Sequence, residues 1–117
     1  MRILFDHNLP RPLRRVLLGH LVELSGELGW AELKNGVLLK SAETGGFDVM
    51  ITADQNIAYQ QNLKERKIAL VVLGSNRWRY VRAHLTEIVA AVNDARTGSY
   101  AFIEVPLPPK PKYQRTD

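Results

Sequence analysis

Apolar residues gather along the chain in five short runs, separated by polar stretches or by segments with helical spacing. RILF (2–5), GHLVELS (19–25), FDVMIT (47–52), IALVVLG (68–74) and GSYAFIEV (98–105) read as strands. Their cores are expected near 2–5, 21–24, 48–52, 68–73 and 100–105. Between the first two, LPRPLRRVLL (9–18) sets Leu9, Leu13, Val16 and Leu17 on one helical face and Arg11, Arg14 and Arg15 on the other. Pro10 and Pro12 suit a first helical turn, where no backbone N–H is needed. NGVLLKSAETGG (35–46) reads as a short helix capped by Asn35 and ended by Gly45 and Gly46. DQNIAYQQNLKERK (54–67) reads as a polar helix with Ile57, Tyr59 and Leu63 facing inward. The longest helix is expected over 77–96, with Val81, Leu85, Ile88, Val89 and Val92 as its stripe. The segment 27–36 is a polar connection that contains Trp30. Strands with two apolar faces, alternating with helices, predict an α/β fold: a three-layer sandwich with a mainly parallel central sheet.

Composition narrows the picture. A chain of 117 residues with 45% hydrophobic residues is one domain with a real core. The absence of cysteine removes disulfide scaffolds, thiolate zinc sites and cysteine nucleophiles, and fits a reducing compartment. The apolar start is too short for a signal-peptide core, and no stretch approaches the roughly 20 residues of a membrane span. The expectation is a cytoplasmic protein, bacterial in style, with no membrane partner. Net charge is +4, and half of that excess lies in the tail, where Lys110, Lys112 and Arg115 face only Asp117. The rest is mildly basic, which permits nucleic-acid contact without demanding it. Residues 106–117 are a proline-rich basic tail that reads as disordered, leaving 1–105 as the domain.

Candidate chemistry follows from where parallel strands end. Ligands of open parallel sheets bind outside the C-terminal strand ends. The first strand delivers Asp6, His7 and Asn8 there, and the third delivers Thr52, Asp54, Gln55 and Asn56. The connection after the second strand adds Lys34 and Asn35, and the fourth strand adds Ser75, Asn76 and Arg77. Asp48 opens the third strand, roughly 20 Å from Asp54, and is excluded. Two aspartates at one edge repel unless a divalent cation joins them. Carboxylates with amide neighbours Asn8 and Asn56 favour Mg²⁺ or Mn²⁺ over zinc. Such an ion polarises a phosphoryl oxygen and lowers the pKa of bound water, the chemistry of phosphodiester hydrolysis. Taken singly, Asp6 and Asp54 also read as helix N-caps. His7 reads first as a hydrogen-bonded loop residue and second as a general base. Trp30 and Trp78 read as packing residues before base-stacking ones. Arg77, Arg79 and Arg82 open the long helix, where an anion is also attracted by the amide ends.

Three stretches, MRILFDHNLPRPLRRVL, ELGWAELKNGVLLKSAE and FDVMITADQNIAYQQNL, resemble the small PIN-like ribonucleases related to toxins of toxin–antitoxin pairs. The resemblance covers roughly residues 1–96, and its most specific pieces are D-x-N-L-P and T-x-D-x-N, in that order. It implies a parallel α/β sheet, an acidic cluster binding Mg²⁺ or Mn²⁺, cleavage of RNA, and restraint by an antitoxin protein. Asp6 and Asp54 match two of the family's acids and take the catalytic and metal-binding roles, with Asn8 and Asn56 as further ligands. Lys34, Asn35, Gln55, Asn76, Arg77 and Arg79 become the candidate RNA contacts. Two acids are missing: Val37 and Asn56 stand where the family often carries them, and Glu32, Asn35 and Glu43 are the nearest substitutes. Partners are thus RNA, an antitoxin and a second copy of the chain. A non-catalytic module on the same fold, binding RNA or a protein, is the alternative. A phosphoryl-accepting signalling domain fits less well, because this chain lacks the acidic pair expected after strand one and the lysine expected after strand five.

Overall fold

Alternation within each apolar run decides which side of the sheet each residue covers, because successive strand side chains point to opposite faces. The computed structural model describes residues 1–17, 19–33, 35–57 and 65–106, with the side chain of Asn35 outside that description. The expected roles of Lys34, Tyr59 and Leu63, most of the 54–67 helix, and the tail from 107 fall outside the described residues. The elements are β1 (Arg2–Phe5), a 3₁₀ helix η1 (Arg11–Leu17), β2 (Leu21–Leu24), α1 (Asn35–Thr44), β3 (Val49–Thr52) and β4 (Ala69–Leu73). They continue with α2 (Trp78–Val81), a 3₁₀ turn η2 (Arg82–His84), α3 (Leu85–Asn93) and β5 (Tyr100–Ile103).

All five strands run parallel, in the order β2-β1-β3-β4-β5. Ile3, Phe5, Val49, Ile51, Ala69, Val71 and Leu73 pack on one face, against Leu13 and Leu17 of η1, Val81 of α2, and Ile88 and Val92 of α3. Leu4, Met50, Leu70 and Val72 pack on the other face, against Leu38, Leu39 and Ala42 of α1 and against Ile57. The fold is therefore α/β, with helices on both sides of a parallel sheet. The inner strands β3 and β4 are buried along their whole length, whereas the edge strands β2 and β5 show exposed positions. Among the described residues no helix is long and apolar enough to cross a membrane.

Two expected helices differ. The segment after β1 is 3₁₀ rather than α. The residue before a proline is pushed out of the α region, and here Arg11 precedes Pro12 inside the first turn. Leu13 N–H accordingly bonds Pro10 C=O, three residues back. The apolar stripe still does its work, because Leu9, Leu13 and Leu17 are buried. The long helix of 77–96 is interrupted at 82–84 and ends at Asn93. His84 leaves helical geometry (φ −122°, ψ 23°), and Glu87 stands in the first turn of the restarted helix. An acid there suits the positive end of a new helix, and its carboxylate meets His84 Nδ1 at 2.7 Å.

The end of α1 matches its sequence. Gly46 takes φ +84°, Phe47 N–H bonds Ala42 C=O, and Gly46 N–H bonds Glu43 C=O. This paired C-terminal arrangement needs a left-handed residue, which glycine supplies without strain.

Candidate functional site

β1 pairs with β2 on one side and with β3 on the other, so the direction of chain winding reverses at the β1–β3 boundary. Crevices open at such points, outside the C-terminal strand ends. A cleft of about 870 Å³ lies there, lined on the β1 and β3 side by Asp6, His7, Asn8, Thr52, Ala53, Asp54 and Gln55. Gly74, Ser75, Asn76, Arg77 and Tyr80 complete one wall, and Leu33, Leu38, Met50 and Ile57 the other.

The strand ladder continues one residue beyond β1. Asp6 N–H bonds Ile51 C=O, and Ser25 N–H bonds Phe5 C=O. Register then aligns Ser25, Asp6 and Thr52 across three neighbouring strands, one step past the pairs Leu24–Phe5 and Phe5–Ile51. These three are the buried polar or charged residues of the described chain: Asp6 is 8% exposed, Ser25 and Thr52 0%. A buried carboxylate is costly unless hydrogen-bonded. Thr52 Oγ1 donates to Asp6 Oδ2 at 2.7 Å and accepts Asp54 N–H at 3.0 Å. His7 Nδ1 lies 3.1 Å from Asp6 Oδ1. One hydroxyl thus ties the Asp6 carboxylate to the backbone that carries Asp54. Ser25 Oγ has no partner among the described residues.

The cap reading separates the two aspartates. Asp54 Oδ1 accepts the Asn56 N–H at 3.0 Å, the local turn expected of a capping aspartate. Asp6 differs: its carboxylate contacts Thr52 and His7, and only its backbone C=O serves the following turn, through Leu9 N–H. Turn chemistry accounts for Asp54 but leaves the burial of Asp6 unexplained.

The remaining expected residues divide. Asn8, Gln55, Asn76 and Arg77 line the cleft, with Asn76 and Arg77 exposed on its rim. Gln55 Nε2 donates to Gly74 C=O at 3.1 Å, which commits its NH₂ group to joining the β3 and β4 ends. Asn56 is exposed and does not line the cleft, so the metal-ligand assignment for its side chain gains no support from position. Arg79 also lies off the cleft, with its guanidinium 5.8 Å from the Tyr80 ring centroid. The expected anion attraction at a long helix start is corrected too: α2 has only four residues. The backbone of Asn35 opens α1 rather than preceding it.

Substitute acids do not fill the gap. Val37 is 60% exposed and off the cleft. Glu32 is exposed and off the cleft as well. Glu43 sits at the far end of α1, where it binds the Lys67 backbone N–H and pairs with Arg66 at 3.1 Å. The Lys67 N–H, against opposition from burial and with help from Arg66, holds its pKa below the usual glutamate value. Among the described residues no group of three or more acidic, histidine or cysteine side chains converges. Asp48 serves the opposite edge, as its exclusion required, accepting Arg2 N–H at 2.8 Å. Both tryptophans pack. Trp30 meets Phe47 edge-on with centroids 6.2 Å apart, and Trp78 joins the core beneath α2. Tyr80 and the apolar residues Leu33, Leu38, Met50 and Ile57 are cleft residues that the sequence did not mark, whereas Thr52 lies at the edge where the sequence set it.

Two carboxylates suffice for the expected ion. Mg²⁺ commonly keeps several waters and takes one or two protein carboxylates. Each carboxylate oxygen has two acceptor positions, so the Thr52 bond and the His7 contact leave Asp6 able to ligate. Asp6, Asp54 and Asn8 all line the cleft, and their oxygen donors are of the type a hard, partly hydrated cation takes. Comparison with protein-family models, with curated proteins and with solved structures finds no match to this chain.

Proposed function

We propose that the protein is a metal-dependent ribonuclease of the PIN-like class, acting in the cytoplasm, with Asp6 and Asp54 holding one Mg²⁺ or Mn²⁺. The observation that carries this reading is the buried Asp6 carboxylate, fixed by Thr52 beside Asp54 in the cleft where the sheet changes winding direction. When bound, the ion supplies charge to a phosphoryl oxygen and a more acidic water. Asp6 and Asp54 bind it. Thr52 keeps the Asp6 carboxylate in one orientation. Arg77, exposed on the cleft rim, attracts the phosphodiester and offers a bidentate donor pair. With two carboxylates rather than three or four, the ion is held weakly and turnover is slow.

The test is cleavage of a mixed single-stranded RNA pool by the purified chain across Mn²⁺ concentrations. Cleavage is expected to need Mg²⁺ or Mn²⁺, to stop with EDTA, and to vanish in Asp6→Ala. Equal residual cleavage by wild type and Asp6→Ala means contamination and refutes the reading.

The second reading is a non-catalytic module on this fold, binding RNA or an antitoxin-type protein. It draws on the lack of a third converging acid among the described residues. RNA binding without cleavage at any Mn²⁺ concentration supports it.

A further inference from the structure

We infer that Ser25 is a positioning residue for Asp6, its buried hydroxyl acting on the carboxylate through one ordered water held between β2 and β1. The consequence for a bound cation rests on the ribonuclease reading; the coupling of Ser25 to Asp6 does not. Ser25 is 0% exposed, and its Oγ meets no donor or acceptor among the described residues. A buried hydroxyl left that way has given up water for nothing, which is why nearly all of them find a protein or water partner. Turn chemistry does not account for this serine. Ser75 Oγ accepts Arg77 N–H at 3.1 Å, and Ser99 Oγ accepts Arg96 N–H at 2.9 Å, each closing a local turn. After β2 the turn is closed by carbonyls instead. Glu27 N–H bonds Leu24 C=O, and Leu28 N–H and Trp30 N–H both bond Ser25 C=O. The Ser25 backbone serves the turn; its hydroxyl is left over.

Register supplies the partner. One step past the Leu24–Phe5 pair, Ser25 stands beside Asp6 on the sheet face shared with Leu4 and Met50. Neighbouring strands lie about 4.8 Å apart. Thr52 holds the Asp6 carboxylate from the β3 side, through Oδ2 at 2.7 Å. That pull draws the carboxylate away from β2 and puts it beyond direct reach of Ser25 Oγ. A gap of this kind between two polar groups is one that a water spans, and the two groups give the water the partners it needs. A carboxylate has about four acceptor positions. Thr52 and His7 use two of them, so the water and a cation can both be accepted. The His7 side chain is 40% exposed and meets solvent, which makes it the looser contact. Asp6 is then fixed from both neighbouring strands, by one hydroxyl directly and by the other through water. Groups that orient a metal-binding side chain without touching the metal commonly change its affinity 10- to 100-fold.

The experiment compares the full chain as wild type, Ser25→Ala, Asp6→Asn and the double variant. Urea denaturation in EDTA comes first, because the two accounts of Ser25 predict opposite signs. If the hydroxyl serves nothing, alanine removes a desolvated group and the midpoint stays or rises. If it holds Asp6, the midpoint falls by roughly 0.5 M, and falls less when Asp6→Asn is already present. Carbon-detected NMR then reads the side-chain carboxyl line of Asp6. It should shift in Ser25→Ala while that of Asp48, at the opposite edge of the sheet, stays in place. Calorimetry with Mn²⁺, without EDTA, should show Ser25→Ala binding roughly tenfold more weakly than wild type. A midpoint at or above wild type overturns the inference. So does an equal fall with and without Asp6→Asn, or an unmoved Asp6 carboxyl line. Equal Mn²⁺ affinity in wild type and Ser25→Ala overturns the positioning role. Coupling in EDTA by a wild type that binds no Mn²⁺ refutes the ribonuclease reading and leaves Ser25 joined to Asp6.

Discussion

Thr52→Val tests the arrangement on which the site depends. Valine matches threonine in shape, so the perturbation removes a hydroxyl and little else. Two bonds vanish: the donation to Asp6 Oδ2 and the acceptance of Asp54 N–H. A hydrogen bond to a charged group contributes about 1.5–3 kcal/mol and a neutral one about 0.5–1.5 kcal/mol. Asp6 is 8% exposed and Thr52 is fully buried, so water does not readily replace the lost donor. The expected destabilisation is about 2–4 kcal/mol. Thr52→Ser keeps the hydroxyl and loses one buried methyl, about 1 kcal/mol. With a urea m-value of about 2 kcal/mol/M, the valine variant should unfold roughly 1–2 M earlier than wild type, with unchanged m. The serine variant should lie close to wild type. In an Asp6→Asn background the cost of Thr52→Val should fall, because the charge-assisted bond is already gone. If valine costs no more than serine, the hydroxyl does not hold Asp6 and the site argument loses its support.

Glu43→Gln addresses pH. Its folded pKa is depressed below 4.5, first through the Lys67 N–H and then through Arg66. The group therefore adds stability that is full above the unfolded value and disappears as pH falls through the folded one. Wild type should lose stability more steeply than Glu43→Gln below about pH 4.5, as read from thermal midpoints between pH 3 and 7. Gly74→Ala should destabilise by about 1–3 kcal/mol, measured by denaturant titration. An added Cβ would stand 2.9 Å from Val105 N and force β4 and β5 apart. Asn8→Asp should tighten Mn²⁺ binding on the order of tenfold by adding a charged ligand inside the cleft. Asn56→Asp, off the cleft, should change it much less; calorimetry of both variants checks the contrast.

The architecture was legible because it is written in short-range patterns. The apolar runs and the glycine stop after α1 need no knowledge of distant neighbours. Asp6 and Asp54 could likewise be set at one edge, since each follows a strand and parallel strands share their ends. The support of Asp6 was not legible. It depends on β1 and β3 pairing in a register that aligns Asp6 with Thr52, and in strands apolar on both faces the hydrophobic pattern does not single out one register. Ser25, Tyr80 and the apolar wall were hidden for the same reason, because loops and neighbouring elements bring them to the edge. Local competition explains the helix differences. Proline restricts Arg11 within η1, while His84 and Glu87 mark a helix restart inside a stripe that looked continuous. Trp30 packs, as its first reading had it, but nothing in its neighbours signals that its ring seeks Phe47.

The position of β1 between β2 and β3 has a thermodynamic consequence for any ligand of this cleft. Asp6 and Thr52 are 46 residues apart, and their meeting requires the sheet to have closed around its first strand. A ligand that bridges Asp6 and Asp54 finds no such pair in the unfolded chain. Its binding free energy is therefore added to the folded state as a whole, about 2.7 kcal/mol at a hundred times Kd. The cleft acts as a clasp on the sheet: cation occupancy should register as a rise in the melting temperature of the entire domain.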